Sequence, residues 1–299
     1  MIDFRDKYKA CRLCARHCGV DRTEGERGYC ASSDKIRVAR ASLHQWEEPV
    51  ISGERGSGTI FFSGCSLGCI YCQNREISRG NTGKEITERR LSEIMLELMH
   101  NGAHNINFVT PTHYAPGIIE ATRLARENGL SVPTVYNTSS YDSVDTIEAL
   151  SQTVDIYLAD MKYHLNDTAK KLSGVENYSE AARAAIRKMV ENKGSAVIEG
   201  GLMKSGVIVR ILLLPGHLAE AKLICSYLLS EYSDSIYISL MSQYTPIGDM
   251  PSPLNRRVSA REYDELCEYA VKKGLKNGFI QEGESASESF IPSFDLSGV

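Results

Sequence analysis

From residue 59 onward, short apolar runs alternate with stretches in which apolar residues recur every three or four positions. The short runs are typical of strands buried in a parallel sheet, and the longer stretches are typical of amphipathic helices. The pattern predicts strands at 59–62, 106–109, 132–136, 154–159, 207–214, 236–240 and 279–281. It predicts helices at 87–100, 116–128, 143–151, 179–192, 219–231 and 259–273.

This alternation is the sequence form of repeated β-α-β units and therefore indicates an α/β fold. Six β/α units and a closing strand predict a partial (β/α)6 barrel, similar to a TIM barrel but not fully closed. We assign residues 58–299 to this barrel and a C-terminal tail. Residues 1–57 are rich in turns and glycine and poor in periodic structure, and we assign them to a small N-terminal Cys-rich segment.

The composition is that of a soluble globular protein, because 24% of the residues are charged and 42% are hydrophobic. The formal net charge of -4 provides no positive field that would attract nucleic acid. No apolar run approaches the roughly 20 residues of a membrane span, and the N-terminus has no apolar signal region. We therefore expect a cytoplasmic protein that binds neither nucleic acid nor membrane.

Seven of the nine cysteines lie in the first 72 residues, and an odd total in a reducing compartment favours metal ligation over disulfides. Cys65, Cys69 and Cys72 follow the first predicted strand with the spacing C-x3-C-x2-C. Three thiolates on one short loop can hold three irons of a 4Fe–4S cluster and leave the fourth iron open for a ligand. The alternatives are three unrelated thiols or a zinc site, although structural zinc prefers four ligands.

Polar residues follow the other predicted strands at the same edge of the sheet. Thr110 follows the second strand, Asn137 and Thr138 follow the third, and Asp160 and Lys162 follow the fourth. Ligands of parallel α/β sheets bind at the carboxyl ends of the strands. The sequence therefore predicts one binding rim that these residues share with the cysteine loop.

The cysteine spacing resembles the signature of radical S-adenosylmethionine (SAM) enzymes. From roughly residue 46 to 275, the chain is similar to the pyruvate formate-lyase activating enzyme family, and most to its uncharacterised PflX-type iron–sulfur branch. The motifs that carry this resemblance lie at 43–49, 57–65, 69–74, 107–114, 160–162 and 210–216. The resemblance implies an oxidoreductase in which a 4Fe–4S cluster cleaves SAM reductively. The resulting 5′-deoxyadenosyl radical then abstracts hydrogen from a substrate.

The resemblance also implies which residues contact SAM. Tyr71 matches an aromatic residue beside the adenine, and Asn137 and Thr138 match a polar pair that touches the ribose. Asp160 and Lys162 match the family's D-x-K motif, in which the lysine reaches the carboxylate or the ribose of SAM. The alternative for Asp160 and Lys162, without the resemblance, is an exposed Asp–Lys pair at a strand end.

Two further positions are assigned from the resemblance. An arginine near Arg210 usually faces the SAM carboxylate, and the alternative for Arg210 is a structural ion pair inside the barrel. Activases carry a Gly-Gly-Glu-Pro stretch for the SAM amino group where this chain has Thr110-Pro-Thr-His113. Hydroxyls such as that of Thr110 would have to replace the carboxylate. His113 reads as a ligand, a proton carrier or a helix cap.

The resemblance leaves the substrate open. An activase would abstract hydrogen from the glycine of a glycyl-radical enzyme, and a small molecule or a peptide is the alternative substrate. Either reaction needs a one-electron donor such as flavodoxin or ferredoxin. A non-catalytic iron–sulfur protein that carries electrons is the alternative outside enzymes, and no residue is assigned as catalytic.

A second group of cysteines, Cys11, Cys14, Cys18 and Cys30, lies within twenty residues. Four thiolates satisfy either a structural zinc ion or a closed auxiliary 4Fe–4S cluster, so the spacing predicts a second metal site. The alternative is a set of reduced structural cysteines without metal. Glu47 and Glu48 follow Trp46 just before the first predicted strand and could reach the binding rim, although a solvated loop is the default expectation for them.

Overall fold

The computed structural model describes residues 4–79, 82–280 and 292–299. The strands are β1 (Ile36–His44), β2 (Ser57–Phe62), β3 (Lys84–Ile86), β4 (Ile106–Val109), β5 (Thr134–Thr138), β6 (Ile156–Asp160), β7 (Val197–Glu199), β8 (Leu202–Leu212), β9 (Tyr237–Met241) and β10 (Gly278–Ile280). The helices are α1 (Pro49–Ser52), α2 (Arg75–Ser78), α3 (Glu88–His100), α4 (Ala115–Glu127), α5 (Val144–Ala149), α6 (Asn166–Ser173), α7 (Tyr178–Lys193), α8 (Leu218–Tyr232) and α9 (Ala260–Lys272).

The strands form a mostly parallel sheet in the order β10-β9-β8-β6-β5-β4-β2-β1-β3, with β7 added antiparallel to β8. Within the described residues, the outermost strands β10 and β3 do not pair with each other, so the barrel is open. This architecture confirms the predicted α/β fold and its incomplete closure. The last residue of the predicted strand 279–281 and residues 282–291 of the predicted tail lie outside the described residues.

The predicted elements form because their apolar residues match the period of the structure that buries them. Every residue of β2, β4 and β5 is buried, as expected for central strands covered on both faces. α3 begins at Thr87, whose hydroxyl accepts a hydrogen bond from the amide of Arg90, and it buries Leu91, Ile94 and Leu98. Among the described residues, no helix is both long and apolar enough to cross a bilayer.

The segment before residue 58 differs from the expectation of little periodic structure. β1 pairs antiparallel with β2, so His44 lies opposite Ser57 at one end and Val38 opposite Phe62 at the other. β1 contains Arg37 and Arg40 among its apolar residues and follows a glycine-rich stretch, which hides its strand pattern. The sheet therefore continues into the N-terminal part of the chain.

Candidate functional site

The parallel strands surround a cavity of about 1060 Å³. The loop after β2 and residues of β4, β5, β6, β8 and β9 form its wall. The residues predicted from the sequence that line this cavity are Cys65, Cys69, Tyr71, Cys72, Thr110, Asn137, Thr138, Asp160, Lys162 and Arg210. The cysteines predicted as a second metal site are not among its lining residues.

The loop that carries Cys65, Cys69 and Cys72 is held from two sides. The amide of Gly64 donates a hydrogen bond to the carbonyl of Ile77 in α2 over 2.8 Å. From the N-terminal segment, Nε of Arg16 donates to the carbonyl of Ser66 over 2.5 Å. These two hydrogen bonds, both made to the backbone of the loop, fix its path and hence the positions of its thiols.

Hydroxyl groups surround the sulfur of Cys69. The hydroxyl of Ser173, at the end of α6, donates to Sγ of Cys69 over 3.0 Å. The hydroxyl oxygen of Tyr163 lies 2.6 Å from Oγ of Ser173 and 2.8 Å from the hydroxyl oxygen of Tyr71. Hydrogen bonds to ligand sulfurs are one determinant of the reduction potential of an iron–sulfur cluster. α6 was not predicted from the sequence, so this contact was missed.

The thiols of the loop lie in a poorly hydrated environment. Burial raises the pKa of Cys72 to about 12, with nearby Cys65 and Cys69 adding to the rise. Burial likewise raises the pKa of Cys65 above its ordinary value. Such thiols stay protonated at neutral pH unless a bound metal displaces the proton.

The donor set of the loop fits a 4Fe–4S cluster. Three cysteine sulfurs face one cavity, one of them accepts a hydrogen bond from a hydroxyl, and the loop has no fourth cysteine. In the part of the chain that the structure describes, no three His, Cys, Asp or Glu side chains are placed to hold one metal ion. A cluster does not require such convergence, because each thiolate can bind a different iron atom.

Arg210 lies at the centre of a buried charge network in the cavity wall. Its Nε donates to Oδ1 of Asp160 over 2.7 Å, its Nη1 to Oε2 of Glu47 over 3.2 Å, and its Nη2 to Oδ1 of Asn137 over 2.6 Å. Lys162 donates through Nζ to Oδ2 of Asp160 over 2.7 Å. The structure thus contains the ion pair inside the barrel that was the alternative interpretation of Arg210.

The charges of this network depend on one another. Burial would raise the pKa of Asp160, but Arg210 and Lys162 hold it below its ordinary value. Burial would lower the pKa of Lys162, but Asp160 raises it, and Cys69 adds to the rise. The aspartate is therefore ionised and the lysine charged at neutral pH.

Glu48 is buried and the side chain of Glu47 is largely shielded from solvent, which contradicts the expectation of a solvated loop. The side chain of Glu47 is 9% exposed, and its Oε1 accepts hydrogen bonds from Nδ2 of Asn107 over 2.9 Å and of Asn137 over 3.3 Å. Glu48 is 7% exposed and directly precedes α1, where its side chain makes no capping hydrogen bond. The sequence signal was Arg210 itself, since an arginine in a buried strand needs an acidic partner.

Thr138 and Thr110, two further predicted SAM contacts, and His113 already make hydrogen bonds within the protein. The hydroxyl of Thr138 donates to Oδ2 of Asp142 over 2.6 Å. The amide of Thr110 donates to the carbonyl of Asn137 over 2.9 Å. His113 lies beneath the cysteine loop, with Nε2 2.8 Å from the carbonyl oxygen of Ser63, and burial lowers its pKa to about 3. Its imidazole is therefore neutral.

The N-terminal cysteines lie near one another, with Cys11, Cys14 and Cys30 buried and Cys18 exposed. Burial raises the pKa of Cys14 to about 12, and the nearby thiols of Cys30 and Cys11 add to the rise. Burial also raises the pKa of Cys11, with a smaller contribution from Cys18. A Cβ atom on Gly28 would lie 2.7 Å from Sγ of Cys18, so only glycine leaves room for that sulfur.

Arg22 lies against these cysteines and is only 1% exposed. Its Nη2 donates to Sγ of Cys30 over 3.1 Å, and its Nη1 donates to the carbonyl of His113 over 3.2 Å. Its Nε has no hydrogen-bond partner among the described residues. This guanidinium links the N-terminal cysteines to the segment beneath the Cys65 loop.

A family model described as the Radical SAM superfamily matches residues 59–221, which is more than half of the chain. An uncharacterized protein of Methanocaldococcus jannaschii is 29% identical over 279 residues, which cover 90% of this chain and 76% of that protein. This match is a similarity of sequence and assigns no activity to the chain.

Solved structures show the same fold at low identity. A radical SAM methyltransferase from Sphaerobacter thermophilus aligns with a TM-score of 0.51 and 15% identity, over 75% of this chain and 66% of that chain. Streptococcus suis SuiB bound to S-adenosylmethionine aligns with a TM-score of 0.50 and 12% identity, over 77% of this chain and 51% of that chain. This chain thus spans about half to two thirds of their lengths. Because the family model covers most of the barrel, the chain belongs to the radical SAM superfamily.

Proposed function

We propose that this protein cleaves SAM reductively at a 4Fe–4S cluster held by Cys65, Cys69 and Cys72, and that a hydrogen atom is then abstracted from a substrate. The observation that carries this proposal is that the three thiols and the Arg210 network line one cavity. When bound, the cluster and SAM supply one-electron reduction and hydrogen abstraction, while the protein binds, orients and shields them.

The chain offers a complementary group for each part of SAM. Lys162 and Arg210 provide the positive charges that a carboxylate requires, and Asp160 provides acceptor oxygens for hydroxyl or ammonium groups. Tyr71 is 5% exposed and packs against Tyr244 with ring centroids 6.3 Å apart, which gives an aromatic wall for the adenine.

The test is anaerobic formation of 5′-deoxyadenosine from SAM after reconstitution and reduction of the cluster. We expect product from the wild type and none from Cys69→Ala, because that variant loses a cluster ligand. Cys267→Ala is the matched control, since Cys267 lies in α9 outside the cavity lining and should keep full activity. A cluster-loaded wild type that neither binds SAM nor forms product would refute the proposal and favour an electron carrier.

We further propose that the hydrogen donor is the glycine of a glycyl-radical enzyme and that flavodoxin or ferredoxin supplies the electron. The support is the similarity of the sequence motifs to the pyruvate formate-lyase activating enzymes. In the same reduced mixtures, a glycine-centred radical detected by electron paramagnetic resonance after adding such an enzyme would identify it as the substrate. 5′-Deoxyadenosine formation with a small molecule or a peptide alone would instead favour those substrates.

We also propose that Cys11, Cys14, Cys18 and Cys30 hold a second metal centre, either zinc or an auxiliary 4Fe–4S cluster. The described side chains do not converge on a single ion, so a zinc ion would have to draw these thiols together on binding. Within the described residues, buried Arg22 forms no ion pair with a carboxylate, and its side-chain partner is the sulfur of Cys30. A buried cation needs a negative partner, and four thiolates around either centre carry net negative charge. Arg22 would neutralise part of that charge.

Metal analysis of anaerobically purified protein tests this second centre. The Cys11→Ser, Cys30→Ser double variant is expected to lose either about one zinc or about four irons with their sulfide, relative to the wild type. The iron bound by the Cys65 loop should remain, as should all metal in a Cys267→Ser control. Equal metal contents in the double variant and the wild type would rule out a second centre.

A further inference from the structure

Three buried hydroxyl groups, those of Tyr71, Tyr163 and Ser173, form a chain that begins at the cavity wall and ends at a cysteine of the Cys65 loop. Tyr71 lines the cavity, and its hydroxyl oxygen lies 2.8 Å from that of Tyr163. The hydroxyl oxygen of Tyr163 lies 2.6 Å from Oγ of Ser173, which donates to Sγ of Cys69 over 3.0 Å. The three residues are 1–5% exposed, so this hydroxyl chain is shielded from bulk water and its hydrogen bonds are strong.

The backbone fixes the end of the hydroxyl chain that contacts sulfur. The amide of Ile70 donates a hydrogen bond to the carbonyl of Leu172 over 2.9 Å. This bond ties the residue after Cys69 to the residue before Ser173, which is the last residue of α6. Tyr163 lies between β6 and α6, and its hydroxyl oxygen is 3.9 Å from Sγ of Cys69. Two hydroxyls therefore face the same sulfur, one in close contact and one behind it.

The number of protons sets the direction of the hydroxyl chain. Each of the three hydroxyls has one proton to donate, but only two hydrogen bonds join the hydroxyls to one another. A cysteine that ligates iron is a thiolate, so Cys69 then has no proton of its own and can only accept. The third proton is left for the sulfur, and the O–H bonds align toward Cys69. Hydrogen bonds aligned in this way polarise and strengthen one another.

We propose that this hydroxyl chain raises the reduction potential of the cluster held by the Cys65 loop. In the reduction, a one-electron donor loses one electron and the cluster gains it, while the hydroxyls keep their protons. A hydrogen bond to a ligand sulfur stabilises the more negative, reduced state more strongly, so it favours reduction. Ser173 and Tyr163 are positioning residues, because they act through Cys69. The inference rests on the proposed function, since it requires that the loop holds this cluster.

The experiment is an anaerobic redox titration of the full chain with its cluster reconstituted and without SAM. Electron paramagnetic resonance measures the fraction of reduced cluster at each potential. The variants are Ser173→Ala, Tyr163→Phe and the two combined, and the phenylalanine keeps the ring while removing the hydroxyl. The double variant is decisive, because the hydroxyl of Tyr163 can turn toward the sulfur when Ser173 is replaced alone.

The matched control removes another serine–tyrosine hydroxyl pair. Oγ of Ser226 in α8 lies 2.7 Å from the hydroxyl oxygen of Tyr269 in α9, and neither residue lines the cavity. The Ser226→Ala, Tyr269→Phe double variant therefore loses the same atoms at a distance from the cysteine loop. Its cluster should keep the wild-type potential.

We expect the cluster of the Ser173→Ala, Tyr163→Phe double variant to be about tenfold harder to reduce than that of the wild type. For one electron, this is a shift of about 59 mV to lower potential. Each single variant should shift the potential in the same direction by a smaller amount. An unchanged or higher potential in the double variant would overturn the proposal, and so would an equal shift in the control. A merely structural role would reduce the amount of bound cluster without changing the potential of the cluster that remains.

Cluster loading and SAM cleavage are separate readouts, so iron, sulfide and 5′-deoxyadenosine are measured in the same preparations. If the double variant takes up no cluster, the single variants decide. A lower potential in either of them supports the proposal, and unchanged or higher potentials in both overturn it. A shifted potential in preparations that do not cleave SAM contradicts only the proposed function. SAM cleavage by the wild type, with the potential unchanged in the variants, contradicts only the role of the hydroxyl chain.

Discussion

Replacing Arg210 with alanine is expected to lower the free energy of unfolding by about 3–5 kcal/mol, because it leaves buried carboxylates without their cation. Arg210 donates to Asp160 and Glu47, and the side chains of these three residues are 9–19% exposed. For a chain of this size, the change corresponds to a decrease in Tm of about 6–10 °C. Thermal unfolding of the full chain measures it directly. SAM affinity should fall in the same variant, since a positive charge is removed from the cavity wall.

The matched control for this prediction is Arg123→Ala in α4. Arg123 also forms ion pairs with two carboxylates, those of Glu120 and Glu127, but its side chain is 52% exposed. Ion pairs between exposed side chains contribute little to stability because water and salt screen them, so this variant should unfold close to the wild type. Equal decreases in Tm for the two variants would show that the buried Arg210 network stabilises the protein no more than the exposed ion pairs of Arg123 do. If the Arg210→Ala variant folds and binds SAM with the affinity of the wild type, Arg210 does not contribute to SAM binding.

The repeated part of the fold could be predicted because its strands are buried on both faces. β4 and β6 are mostly apolar, with the sequences INFV and IYLAD, and helix α3 shows a regular apolar face. The carboxyl ends of parallel strands meet at one edge, so Asp160 and Lys162 could be placed near the Cys65 loop without knowing any contact. Topology alone brings these residues to one cavity.

Other parts of the site depend on contacts between residues far apart in sequence. Glu47 resembles a solvated residue until its partner Arg210, 163 positions away, is known. α6 is a short polar helix with the sequence NDTAKKLS, and only its position shows that Ser173 contacts Cys69. The strand β1 is likewise defined by its pairing with β2. Local pattern carries no information about such distant partners.

The N-terminal segment and the cysteine loop meet at Gly64. Its φ of +92° lies in the region that favours glycine, and the carbonyl oxygen of Cys30 approaches its free side. A Cβ atom at this position would lie 2.6 Å from that oxygen and 2.5 Å from Oγ of Ser32. The close approach means that the loop and the segment around Cys30 cannot move independently.

Gly64→Ala is therefore expected to destabilise the protein for two reasons and to reduce cluster loading. The backbone conformation costs a non-glycine residue about 1–3 kcal/mol, and the clash with Cys30 and Ser32 adds about 1–3 kcal/mol. Because Gly64 directly precedes Cys65, relief of the clash displaces the first cluster ligand. We expect a lower Tm and less iron and sulfide per chain after anaerobic reconstitution.

Gly129→Ala separates the two causes. Gly129 has nearly the same φ, +97°, but a Cβ atom there would meet nothing within 4 Å, and the residue lies at the end of α4 away from the cysteines. This control carries the conformational cost alone, so it should lose less stability than Gly64→Ala and retain the wild-type iron content. If both variants load iron equally and unfold at the same Tm, contact with the N-terminal segment does not position the cluster loop. A selective loss of iron in Gly64→Ala would instead show that packing against the segment around Cys30 is part of how this chain holds its cluster.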